Sequence, residues 1–183
     1  MNNQNKKIIF VPGWLHSLDF YNRSEGLDIW ICDEDFEKKA NADIFIGHSL
    51  GANFILANYY KDVEKLILVN PVLRKNFWSA MGSWIRHAIF DKTNLDKVGM
   101  MLNFFSSIKK ARRIFKIDYE KILSEIPKEK IFVLRGKEDK YLCSKKSLDI
   151  FRKYNIEIIE IDDVDHNWGE VYEKEVEKII NNN

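Results

Sequence analysis

The chain has 183 residues, a formal net charge of +1 and two cysteines. That length suits one domain with a sizeable core, and 45% hydrophobic with 31% charged residues is ordinary for a soluble globular protein. The near-neutral balance points to no particular partner, the two distant cysteines suit a reduced compartment rather than a disulfide framework, and no run is long enough to span a membrane.

Residues 1–7 are polar, and the apolar stretch behind them is too short for a signal-peptide core, so a cytoplasmic protein is expected. Residues 8–11 form a continuous apolar run stopped by Pro12-Gly13, which reads as a strand buried on both faces. Residues 27–32 read as a second strand and residues 33–39 as a short helix or helical turn. Residues 43–46 read as a third strand, followed by a helix over residues 52–60. Residues 65–69, closed by Asn70-Pro71, read as the fourth strand, residues 130–135 as the fifth and residues 156–161 as the sixth. Helical patterns cover residues 144–154 and 171–180. This alternation predicts one α/β domain over residues 1–183, with a mostly parallel sheet of about six strands and helices on both faces.

Residues 72–121 break the alternation. Phe77, Trp78, Met81, Trp84, Ile85, Ile89 and Phe90 recur at helical spacing, and Met100, Met101, Leu102, Phe104, Phe105 and Ile108 form a second group. Two or three helices inserted over the sheet are expected. Core packing accounts for the aromatic stripe, and a lid lining a ligand pocket is compatible with it. The same stretch holds eleven Lys and Arg, among them Arg74, Lys75, Lys92, Lys109, Lys110, Arg112 and Arg113, against four Asp and Glu. Such a basic face could steer an acidic acyl-carrier protein, a phosphorylated substrate or an anionic membrane surface, or simply solvate the helices.

The third strand runs into Gly47-His48-Ser49-Leu50-Gly51, a G-x-S-x-G pattern. Strand, glycine-flanked serine and helix together describe a nucleophile elbow, which strains the serine and presents its hydroxyl at a helix N-terminus. A Gly-Ser turn can also be a plain helix cap, but the flanking strand and helix favour the elbow. A serine hydroxyl needs a general base, and histidine is best matched to that task near neutral pH. Neither G-x-G-x-x-G nor a P-loop is present, so nucleotides are not expected, and no His or Cys cluster suggests a metal; no cofactor is expected.

These features resemble the α/β-hydrolase superfamily over nearly the whole chain. The resemblance implies Ser49 as nucleophile, His166 after the last strand as base, and Asp139 after the fifth strand as the acid that orients it. Glu138, Asp163 and Asp165 are weaker acid candidates. The resemblance also implies an oxyanion hole from the N–H groups of Leu50 and Trp14, the latter in the loop Pro12-Gly13-Trp14-Leu15-His16. His48 should point away from the nucleophile. Gly13, Leu15, His16, Asn70, Trp78 and Phe104 are the expected substrate-binding residues. Only 35 residues separate Gly13 from Ser49, which marks a minimal member of the superfamily. The implied activity is cleavage of a small-molecule carboxylic ester or thioester through an acyl-enzyme, with a loose likeness to carboxylesterases of the biotin-synthesis type. A non-catalytic binding protein, an acyltransferase and a peptidase remain open alternatives.

Overall fold

In a computed structural model, residues 6–59, 61, 63–73, 76–90 and 97–182 are described, residues 33, 97–103 and 146 by their backbone alone. Tyr60, Arg74, Lys75, Lys92 and the side chains of Met100, Met101 and Leu102 therefore lie outside the described residues. Five parallel strands, β1 (Ile8–Val11), β2 (Ile44–His48), β3 (Lys65–Val69), β4 (Ile131–Gly136) and β5 (Ile158–Ile161), form one sheet in the order β1-β2-β3-β4-β5. Phe10 pairs with Ile46, Ile46 with Ile67, and Ile67 with Phe132, so the register is continuous across the sheet.

The continuous apolar runs of these strands follow from burial on two sides. Val11, Phe45, Leu66, Leu68 and Val133 face one core, whereas Phe10, Ile44, Ile46, Ile67, Val69 and Leu134 face the other. The first core is covered by α2 (Leu50–Asn58), by α3 (Phe77–Phe90), α4 (Lys97–Ile114) and α5 (Tyr119–Glu125), and by α6 (Asp149–Lys153). The second is covered by α7 (Glu170–Asn181), whose buried Tyr172, Val176 and Ile179 fall on one stripe of an amphipathic helix. A short α1 (Asp33–Glu37) precedes β2.

Residues 27–32 are not a strand, which reduces the expected six strands to five. Gly26 makes one parallel bridge to Phe10, and the Leu27 N–H donates to the Phe10 carbonyl at 3.0 Å. The chain then bends at Asp28. Its carboxylate accepts from Leu18 N–H at 2.7 Å, and its carbonyl accepts from Ile31 and Cys32 N–H at 3.0 and 2.9 Å. Leu27, Ile29 and Trp30 are nonetheless buried, and the Trp30 indole N–H donates to the Pro12 carbonyl at 2.8 Å. Their hydrophobicity reports burial under the sheet edge rather than pairing with it. The predicted helix over residues 144–154 divides into a 3-10 turn (Lys145–Leu148) and α6.

Ile67 lies on a central strand and is fully buried, while Ile158 is half-buried on the edge strand. Ile67→Ala is expected to lower the unfolding free energy by about 3 kcal/mol and Ile158→Ala by less than about half of that, as read by urea denaturation.

Candidate active site

Ser49 stands between β2 and α2 with φ 54° and ψ −123°, a conformation that side chains disfavour and that surrounding structure must impose. The imposing contacts are backbone ones. A Cβ on Gly47 would stand 2.6 Å from the Ala52 nitrogen, and a Cβ on Gly51 would stand 2.3 Å from the Val11 carbonyl oxygen. Both glycines are thus needed for the first turn of α2 to press against β2 and the end of β1. Ser49 occupies the N-cap position of α2, yet its side chain makes no capping hydrogen bond. Its hydroxyl pairs with His166 instead.

The His166 Nε2 lies 2.8 Å from Ser49 Oγ, and its Nδ1 lies 2.5 Å from Asp139 Oδ2. Asp139 is fully buried and accepts from the Leu142 and Cys143 N–H groups, each at 2.9 Å. Burial pushes this carboxyl up, but the charge and hydrogen bond of His166 and the two amides outweigh burial and hold it down at about 2. An ionised Asp139 accepts a hydrogen bond from His166 Nδ1–H, which leaves Nε2 as the acceptor for the Ser49 hydroxyl. Glu138 turns away to pair with Lys140, and the Asp165 carboxylate is taken by Asn167 N–H at 2.7 Å.

Arg135 carries the Asp139 loop, a role the sequence did not reveal beyond a charged residue at the end of an apolar strand. Its buried guanidinium donates to the carbonyls of Cys143 at 2.7 Å and Asp139 at 3.2 Å, and pairs with Glu160 at 2.8 Å. Asn70 does the same for the His166 loop, which corrects its expected place in the substrate pocket. Its side chain is fully buried, accepting from Gly136 N–H at 3.0 Å and donating to the Tyr172 hydroxyl at 2.6 Å and the His166 carbonyl at 3.2 Å. No donor or acceptor on it is turned towards Ser49.

A second polar chain runs beneath the serine. Burial, reinforced by the charge of neighbouring His166, holds the His48 imidazole well below its ordinary pKa and therefore neutral. Its Nε2–H donates to the His166 carbonyl at 2.8 Å, so its Nδ1 accepts from the Tyr21 hydroxyl at 2.8 Å. Tyr21 in turn accepts from Gly13 N–H at 3.0 Å. The elbow, the loop after β1 and the loop carrying His166 are joined by this relay. No local sequence signal marks Tyr21.

Two cavities meet at Ser49. One is apolar and lined by Trp14, Leu50, Phe77, Met81, Trp84 and Leu142. The other is lined by Gly13, Tyr21, Asn167, Trp168 and all four histidines, His16, His48, His87 and His166. Of the residues proposed for substrate binding, Gly13 and His16 line this cavity. Leu15 does not: with φ 66° it is buried in the core and lines neither cavity. Trp78 is exposed on the outer side of α3, because the next residue back, Phe77, takes the inward position. Phe104 packs 6.2 Å from the Trp14 ring, behind the cavity wall rather than in it. The amide of Leu50, at the first turn of α2, has no acceptor within its own helix, and no backbone bond among the described residues takes up that of Trp14.

No protein-family model matches the chain, and a search of curated proteins found no match. Solved structures do match. An α/β-hydrolase enzyme from a Medee basin deep-sea metagenome library aligns with 98% of this chain and 88% of its own, at 16% identity and a TM-score of 0.56. The monoacylglycerol lipase of Paleococcus ferrophilus aligns with 94% and 93%, at 15% identity and a TM-score of 0.53. Naproxen esterase from Bacillus subtilis aligns with 98% and 85%, at 13% identity and a TM-score of 0.55. The chain has the α/β-hydrolase fold.

Asp139 titrates near 3.8 when unfolded and at about 2 when folded, so its contribution is present above pH 4 and is lost as pH falls towards 2. The stability advantage of the wild type over Asp139→Asn is expected to shrink by about 2 kcal/mol across that interval, in urea titrations at each pH. Tyr21→Phe strands the buried Gly13 N–H and His48 Nδ1 together, and is expected to cost about 3 kcal/mol in the same assay at neutral pH.

Proposed function

We propose that the protein is a serine hydrolase that cleaves a small-molecule carboxylic ester or thioester through an acyl-enzyme. The observation that carries this reading is the line from Ser49 Oγ to His166 Nε2 at 2.8 Å and from His166 Nδ1 to Asp139 at 2.5 Å, beginning on a strained serine. In this reading Ser49 Oγ attacks the carbonyl carbon while His166 takes its proton. Asp139 stabilises the imidazolium, and the N–H groups of Leu50 and Trp14 hold the oxyanion. The tetrahedral intermediate then expels the alcohol or thiol, which receives the proton from His166. Water, deprotonated by His166, releases the acid and restores Ser49.

The leaving group must lie within reach of His166, because His166 protonates it. That assigns the histidine-lined cavity to the alcohol or thiol, and the apolar cavity, which His166 does not line, to the acyl chain. Residues 72–121 then act as a lid, since Phe77, Met81 and Trp84 of α3 wall the acyl side. The lipase and esterase among the structural neighbours agree with ester chemistry. None of these neighbours points to an acyl-carrier protein or to biotin synthesis. Neither Cys32 nor Cys143 is in a disulfide, in keeping with the reduced, cytoplasmic location proposed for the protein.

A fluorophosphonate probe is expected to label Ser49, with the adduct located by mass spectrometry. Labelling should vanish in Ser49→Ala and slow at least about a hundredfold in His166→Ala. Failure to label well-folded wild type would overturn the proposal in favour of a non-catalytic binding protein.

A further inference from the structure

The helices that wall the acyl cavity have a second face. On α3, Phe77, Ala80, Met81 and Trp84 turn inward. Trp78, Ile85 and Ile89, spaced seven and four residues apart on one outward stripe, are 70%, 46% and 65% exposed, with Phe90 beside them at 66%. On α4, Phe104 and Ala111 turn inward, while Phe105 is 86% exposed. Phe105, Lys109 and Arg112 follow one another at four and three residues, so the outward stripe of α4 passes from an aromatic ring to two exposed cations. Both helices lie over the same core, so their outer sides form the outer surface of the cover.

Within these two helices the charge has one sign. Neither the 14 residues of α3 nor the 18 of α4 include an Asp or Glu. Arg113 meets Glu37 of α1 and lies over the Phe36 ring at 5.0 Å, and the Lys110 ammonium lies 5.8 Å from the same ring. Arg86, Lys109 and Arg112 are exposed, Lys109 at the rim of the groove that it shares with Glu34 and Glu37. Since the whole chain is only +1, the basic excess of residues 72–121 is balanced by acid elsewhere in the sequence.

We propose that this outer face of α3 and α4 docks on an anionic lipid surface. Helices that expose Trp, Phe and Ile beside Lys and Arg, and carry no carboxylate of their own, have the composition of helices that lie in a headgroup layer: the rings enter the acyl boundary and the cations meet the lipid phosphates. A solvated acidic protein would satisfy the cations but leave the apolar stripe uncovered. A second copy would cover the stripe but set two cationic faces against each other. Docking would place the lid, and the acyl cavity beneath it, on the membrane side of the molecule.

The full-length chain is tested by co-sedimentation with vesicles of phosphatidylcholine alone and of phosphatidylcholine mixed with phosphatidylglycerol, at low and high salt. Wild type and Ser49→Ala are expected to pellet equally with the anionic vesicles at low salt, and far less with neutral ones or at high salt. Equal behaviour of Ser49→Ala separates this surface from the catalytic proposal. An Ile85→Asp/Phe105→Asp pair and a Lys109→Glu/Arg112→Glu pair should each lose at least about tenfold in partition while keeping the wild-type urea midpoint. No partition into anionic vesicles, or partition unchanged in both well-folded pairs, would overturn the proposal. So would a dimer in sedimentation velocity that the Ile85→Asp/Phe105→Asp pair dissolves, which would give the face to a second copy.

Discussion

The close approach of α2 to the end of β1 is the constraint on which the site rests. Gly51 lies against the carbonyls of Val11 and Pro12 with no room for a side chain, and Gly47 lies against Ala52 in the same way. That contact forces Ser49 into its strained turn and brings the start of α2 beside the loop that begins at Pro12. Trp14 and Leu50 consequently line one cavity with Ser49. A small domain can hold a non-glycine residue in such a conformation only if the neighbours over-determine it, and here the Ser49 N–H is also bonded to the Val69 carbonyl at 2.8 Å.

Around that contact, three loops at the carboxyl ends of the strands are fixed by buried polar side chains rather than by further apolar packing. Asn70 ties the end of β4 to the His166 loop, Arg135 ties the Asp139 loop to β5, and the Tyr21–His48 relay ties the elbow to both neighbouring loops. A buried polar group is costly when unpaired, so each of these is a directional constraint as well as a contact. Apolar cores tolerate small slides, whereas these links specify where a carbonyl or an amide must be. The imidazole of His166 is consequently held from both sides, by Asp139 through its ring and by His48 and Asn70 through its backbone.

Much of this architecture was legible in the sequence where a single physical cause acts. Runs buried on two faces are apolar throughout, which is why residues 65–69 read correctly as a strand. The amphipathic stripe of α7 and the glycine-flanked serine are similarly local signals. Residues 27–32 misled because burial and strand pairing leave the same hydrophobic trace, and a bend enforced by Asp28 leaves none. Asn70 and Arg135 sat at strand ends, where polar residues can face substrate or brace loops, and only their partners distinguish the two. Tyr21 was illegible because its partners, Gly13 and His48, are close only in the folded chain. Which residues of α3 face inward depends on a rotation about the helix that spacing alone does not set, hence the misplacement of Trp78.

The separation of Ser49 from His166, 117 residues along the chain, has a consequence for biosynthesis. A ribosome delivers the serine, its elbow and the first three strands long before the imidazole that would activate it. Until then the line of Ser49, His166 and Asp139 proposed as catalytic is incomplete. It closes only when β4, β5 and the loop beyond them have docked, which are contacts of long sequence separation. The reactivity proposed for Ser49 would therefore belong to the folded domain and not to its N-terminal half.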